Sequence, residues 1–436
     1  MQAPHGETVG LAEPVTLPLW TAHERLPLPS DGSTTALLVF HGIGQQVPFE
    51  TLDLVAQALI DRHVAAGGTA DKRVRHVWCE DGAGGRFLAR AEIELRRKQG
   101  DPQYVHVYEC YWAPMTEGAI GLWSTLQFYL GAGVDGLRST LGNGLKFERW
   151  AFGSERWFRL PFGTPIHLAL ALIALAVVAL VLLGGMYALW PVELTPPVEW
   201  AKLYKALPSV LLFGILAGVA WAVRQVTIQF FGDVAIYLSP DKVDEHWRIR
   251  EEVKRHCCRV TDNVFRAVSR EDGKTRWHYG KVVVAGHSLG SVIAYDCLNT
   301  LVQRDIAKEP ESRVSVAART ASLITFGSPL DKVAFIFGTK ITGRKIREAL
   351  AGGTQPLIIS YDYRPGTWVN IHARGDIIGG RLDYYDHPDG EGASRRVRNC
   401  VDGEAGWFLV TAHTGYWKHS AFRTALYDAV TNEAGL

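Results

Sequence analysis

Residues 281–296 read KVVVAGHSLGSVIAYD. A β-branched run, Val282 to Val284, enters the pentapeptide Gly286-His287-Ser288-Leu289-Gly290, and the stretch that follows, SVIAYDCLNTLV, has helical potential. Strand, sharp turn and helix around Gly-x-Ser-x-Gly is the setting in which a serine is presented at the carboxyl edge of a sheet. Gly286 and Gly290 leave room there for close backbone packing. The pentapeptide alone is a weak signal, and its flanks are what make Ser288 a candidate nucleophile. A serine hydroxyl reacts poorly at neutral pH, so the chain must also supply a base, an acid to orient it and donors for an oxyanion.

Upstream, LLVFHGIGQQ (residues 37–46) is an apolar strand ending in His41-Gly42 and a flexible Gly44. A loop in this position supplies one oxyanion amide in hydrolases built on such an elbow, and the residue after the nucleophile, Leu289, supplies the other. Ile43 is the choice for the loop donor. His41 is read as shaping the turn through hydrogen bonds, not as the base, and His287 and Gly42 as support for the elbow and the loop. Downstream, the chain order Ser, acid, His is expected. Asp376, in TWVNIHARGDIIGG, is the first choice for the acid, with Asp331 (FGSPLDKV) and Asp383 (RLDYYD) as alternatives that could equally cap a turn or helix. His413, after GWFLVTA and before Gly415-Tyr416-Trp417, is preferred as base over His387 in a polar loop and His419 in the last helix.

Strand-length apolar runs recur at residues 36–40, 74–79, 104–112, 281–285, 322–326 and 368–373, several followed by helix-like segments. This alternation predicts an α/β fold, a largely parallel sheet with helices on its faces. The run DKVDEHWRIREEVKRHCCRVTDNVFRAVSR (residues 241–270) predicts one long helix leading to the serine strand. Residues 1–34, rich in Pro, Gly, Thr and Ser, read as a loose leader.

Lys plus Arg (46) and Asp plus Glu (45) nearly cancel, which gives no electrostatic reason for a nucleic-acid partner. Six cysteines without a CxxC pair suggest neither a zinc site nor a disulfide framework, and reduced thiols fit. No metal or organic cofactor is called for. Mean hydropathy is near zero (+0.01), with the apolar excess concentrated between Ile166 and Val223. Residues 166–190 run about 25 positions without a charge and residues 207–223 about 17, lengths that bracket the helical span of a bilayer core. Two such spans would return the chain to one side, and Lys146, Arg149, Arg156, Arg159 and Arg224 outside them outnumber Lys202 and Lys205 between them. The expectation is therefore a transmembrane hairpin (residues 146–225) inserted between a first (35–145) and a second (226–436) part of one α/β domain. That domain would lie on the cytosolic side of a lipid bilayer, in an integral membrane protein. The segment EGAIGLWSTLQFYLGAGVDGL before the hairpin could be an interfacial helix or lid, or could pack on the sheet.

Taken together, VFHGIGQQ, VVVAGHSLGSVIAYDCL, ITFGSPL, NIHARGDIIGGRLDYY and AHTGYW resemble, in that order, the intracellular phospholipases A1 that carry the DDHD domain, within the wider α/β-hydrolase lipases. The resemblance covers about a sixth of the chain. It implies an α/β-hydrolase fold and a serine esterase acting on acyl chains of lipids, with Ser288 as nucleophile. The last Asp of the family's four-residue pattern has no counterpart, because KHSAF follows Tyr416-Trp417, so head-group preference does not carry over. A thioesterase or deacylase of lipidated proteins, an acyltransferase, and a membrane scaffold with an inactive hydrolase domain remain as alternative readings.

Overall fold

A computed structural model of the chain describes residues 15–42, 47–80, 85–116, 134, 245–331, 333, 361–376, 378–382, 385–386, 396–405 and 409–431. Its strands are β1 (Val15–Leu17), β2 (Thr34–Phe40), β3 (Thr69–Glu80), β4 (Gly85–Arg96), β5 (Gln103–Cys110), β6 (Val268–Glu271), β7 (Lys274–Trp277), β8 (Lys281–His287), β9 (Thr320–Phe326), β10 (Thr367–His372) and β11 (Val397–Val401). The helices are α1 (Glu50–Ala65), α2 (Glu245–Arg266), α3 (Leu289–Ile306), α4 (Val316–Arg319), α5 (Leu409–Thr414) and α6 (Ser420–Thr431). Nine strands form one sheet in the order β1-β3-β4-β5-β2-β8-β9-β10-β11, and β6 pairs with β7 in a separate hairpin. Every pairing in the large sheet is parallel except those of β4 with β3 and with β5.

The central strands are buried on both faces, which is why they read as continuous apolar runs. Ala36, Leu38 and Phe40 of β2 and Val282 and Val284 of β8 join a core that includes α2 and α3 residues. Leu37 and Val39 of β2 and Val283 and Ala285 of β8 point into a second core with residues of α1 and α6. The sheet is thus sandwiched between two helical layers, as the α/β expectation requires.

β2 and β8 lie side by side although about 240 residues separate them, with Phe40 opposite Gly286. From β2 the chain continues toward β5, and from β8 toward β9, so the strand order reverses between these two neighbours. Parallel α/β sheets leave a crevice at the carboxyl ends of strands where the order reverses. The loop at His41-Gly42 and the turn at Ser288 both open there.

Several expectations need correction. Among the described residues no helix is long and apolar enough to cross a membrane. The transmembrane hairpin is therefore dropped from the fold, and with it the placement of the protein as a two-span integral membrane protein with its catalytic domain on the cytosolic side. α2, the longest described helix, shows why the described helices fail that test: charged residues interrupt it at nearly every turn, and it buries only one stripe, including Ile249, Val253, Val260 and Val264. The runs at 166–190 and 207–223, like the lid segment before them, lie outside the described residues. Nor is the leader loose throughout. β1 begins at Val15 and pairs with β3, and Trp20 is 1% exposed, its ring edge-on to Trp277 at 5.4 Å. Finally, the long helix ends at Arg266, because Val268–Glu271 turn back in a hairpin around Asp272-Gly273, both at positive φ.

Candidate active site

β8 delivers the chain into Ser288 at φ 52 and ψ −129, a backbone conformation rarely adopted by a residue with a side chain. Three hydrogen bonds hold it there. Ser288 N–H donates to the carbonyl of Phe326 at the end of β9 (3.0 Å), and its own carbonyl accepts from Ser291 N–H (3.0 Å) and Ser291 Oγ (2.6 Å). Ser291 Oγ also lies 2.7 Å from Ser328 Oγ, tying the elbow to the loop after β9. The turn has no space for larger residues. A Cβ on Gly286 would come within 2.6 Å of Ser291 Cα, and one on Gly290 would overlap the carbonyl oxygens of Phe40 and His41. α3 can therefore start flush against the end of β2, as the spacing of the two glycines predicts.

The side chains converge as the sequence reading expects. Ser288 Oγ lies 2.8 Å from His413 Nε2, and His413 Nδ1 lies 2.9 Å from Asp376 Oδ2. All three are buried: Ser288 is 1% exposed, His413 3% and Asp376 6%. Asp376 follows β10, and His413 sits at the end of α5, just past β11. Burial alone would raise the Asp376 carboxyl. The hydrogen bond and charge of His413, the Gly379 amide and the Tyr416 hydroxyl outweigh it and hold the group at about 2. An ionised Asp376 accepts at both oxygens, Oδ1 from Ile378 N–H (2.8 Å) and Oδ2 from His413 Nδ1–H. That fixes the tautomer in which Nε2 is bare and can accept the Ser288 proton.

The supporting histidines have assigned places. His41 Nδ1–H donates to the Gly42 carbonyl (2.8 Å), while Nε2 accepts from Trp112 N–H (3.0 Å) and the ring stacks on Trp112 at 4.9 Å. Burial lowers it to about 4, so it stays neutral and shapes the turn, as expected. His287 Nε2–H donates to the main-chain carbonyl of His413 (2.8 Å), and burial holds His287 at about 3. The residue before the nucleophile thus anchors the backbone of the residue that would deprotonate it. A Cβ on Gly42 would meet Ser288 Cβ at 3.0 Å, which sets Gly42 directly beside Ser288.

Asp376, not Asp331, takes the His413 ring, and His419 pairs instead with Asp402 (2.5 Å). Asp383 and His387 lie outside the described residues, as does Ile43, the expected loop donor. Leu289 opens α3, a position at which a backbone N–H has no acceptor within the helix. Sequence reasoning missed Tyr416, whose hydroxyl donates to Asp376 Oδ2 (2.8 Å) and accepts from Ala373 N–H (2.9 Å). Its three-residue spacing from His413 does not by itself show that the two side chains meet one carboxylate. Among the described residues no group of three or more His, Cys, Asp or Glu side chains is arranged to hold a metal ion. No family model, curated protein or solved structure matches the chain.

Proposed function

We propose that the protein is a serine hydrolase that cleaves carboxylic esters, with acyl esters of lipids as its substrate class. The observation that carries this reading is the unbroken chain Ser288 Oγ, His413 ring, Asp376 carboxylate, with links of 2.8 and 2.9 Å at a strained elbow. In the reaction, Ser288 Oγ attacks the ester carbonyl carbon while its proton passes to His413 Nε2. Asp376 stabilises the imidazolium and stays ionised. The carbonyl oxygen becomes an oxyanion, held by the Leu289 amide and a donor from the loop after Gly42. Collapse breaks the ester C–O bond, and His413 Nε2–H protonates the departing alkoxide. Water, deprotonated by the same nitrogen, then attacks the acyl-serine and releases a carboxylic acid, returning the proton to Ser288 Oγ.

Lipid acyl chains come from the resemblance of the five sequence stretches to phospholipases, and an aligned, buried triad disfavours an inactive scaffold. Purified protein incubated with phospholipid in mixed micelles tests the substrate class. Wild type should release free fatty acid and lysophospholipid, and Ser288→Ala neither. Equal release by both proteins, or turnover of acyl thioesters with none of phospholipid, would reject the lipid-ester reading.

A further inference from the structure

His413 closes α5, and Tyr416 lies in the single 3-10 turn that follows, Gly415–Lys418. Side chains three apart align along such a tight helix. Both reach the same atom: Asp376 Oδ2 accepts His413 Nδ1–H at 2.9 Å and Tyr416 O–H at 2.8 Å. The Tyr416 oxygen in turn accepts Ala373 N–H, at the end of β10, three residues before Asp376. The ring is fully buried, and its oxygen has one donor role and one acceptor role, both filled.

We propose that Tyr416 is a positioning residue of the reaction, its hydroxyl locking Asp376 against strand β10 so that Oδ2 meets His413 Nδ1. The inference rests on the serine-hydrolase reading. It assigns a task that the triad does not itself perform. A carboxylate on a loop can rotate, and Ile378 N–H restrains only its Oδ1. Tyr416 restrains Oδ2, and because it travels on the same short segment as His413, acid and base are fixed relative to each other by one turn of chain. Burial, then the Asp376 charge, push the Tyr416 hydroxyl up, so it remains a donor throughout the usable pH range. The groups facing this dyad are Ser288 and His287 from the elbow, His287 with its ring 5.0 Å from His413, the Ile378 and Gly379 amides from the acid loop, and the Asp402–His419 pair behind Tyr416. His287 is neutral, which leaves Asp376 as the charge that the Tyr416 hydroxyl shares with His413.

Tyr416→Phe keeps the ring and removes one oxygen. It leaves the Ala373 amide without its acceptor, so some loss of thermal stability is expected on any account and decides nothing. The deciding readouts are kinetic and spectroscopic. For ester hydrolysis, kcat should fall about 10- to 100-fold with KM little changed, the scale of a hydrogen bond to a charged group. The acidic limb of the kcat/KM profile should move to higher pH, because the carboxylate charge is no longer shared. In a Ser288→Ala background, which removes turnover, the downfield proton resonance of His413 Nδ1–H should shift or broaden when Tyr416→Phe is added. Unchanged kcat and an unchanged limb would overturn the proposal, as would an Nδ1–H signal that keeps its position and width. The resonance is independent of substrate: a shifted signal in a protein that hydrolyses no ester would retain the positioning role and reject the hydrolase reading.

Discussion

Ser288, His413 and Asp376 owe their geometry to neighbours outside the proposed triad. The Ser288 backbone is held by Phe326 and Ser291, the His413 carbonyl by His287, and the Asp376 carboxylate by Ile378 and Tyr416. An Asp376→Asn substitution preserves shape but can present an N–H to His413 Nδ1, favouring the tautomer that places the proton on Nε2. Ester turnover should then drop by about 1000-fold or more while the melting temperature changes little; a loss under tenfold in steady-state kinetics would remove Asp376 from the triad. Ser288, His413 and Asp376 were legible as a candidate triad because an elbow motif and the order Ser, acid, His constrain where to look. Tyr416 was not. A hydroxyl acquires its meaning from which loops meet around it, and no spacing rule states that the loop after β10 comes to lie beside a 3-10 turn some 40 residues later.

Strands buried on both faces were equally legible, and so was part of the more exposed β3. β2, β8 and β9 carry apolar residues at nearly every position, so the six strand-length runs all fall on observed strands. β4, GRFLARAEIELR, was overlooked because Arg90, Glu92 and Glu94 alternate with its apolar positions. Its buried Arg90 reaches the Tyr108 and Tyr279 hydroxyls and ion-pairs with Glu92, a context invisible in one dimension. β1 was overlooked because it has three residues in a Pro-rich stretch. The segment is nonetheless fastened: Trp20 N–H donates to Arg266 O (2.8 Å), Val268 N–H donates to Pro18 O (3.0 Å), and the Trp20 ring is buried against Trp277. Trp20→Ala should therefore cost about 3 to 5 kcal/mol in urea unfolding, the cost of deleting a buried indole. A change below about 0.5 kcal/mol would restore the loose-leader reading.

At the largest scale, the described residues form a sheet whose strand order reverses beside Ser288, and stability should carry the mark of one half-buried and one buried carboxyl with opposite tendencies. Burial pushes Glu109, at the end of β5, up from 4.5 to about 7 although the Phe49 amide and Thr51 donate to it. Asp376 lies at about 2, below its ordinary 3.8. A raised carboxyl stabilises the fold fully below its unfolded value and loses that contribution as pH rises through about 7. A lowered one contributes above its unfolded value and loses the contribution as pH falls through about 2. Glu109→Gln should accordingly raise stability at about pH 8 by about 1 to 3 kcal/mol and leave it unchanged near pH 4.5, as read by denaturant unfolding at both values. A gain of equal size at both would deny that Glu109 titrates late. At this scale the sequence conveyed the parallel sheet and the convergence of its two halves, while hydropathy misled. An uncharged run records which groups are missing, not what surrounds the apolar surface, and the described helices bury theirs against the sheet. The claim on which everything else depends is that Ser288 is an activated nucleophile. Treating the protein with a fluorophosphonate and mapping the adduct by peptide mass spectrometry tests it most directly. Stoichiometric modification of Ser288, abolished in Ser288→Ala and strongly slowed in His413→Ala, is predicted; an unmodified Ser288, or labelling that persists at another residue in Ser288→Ala, would contradict it.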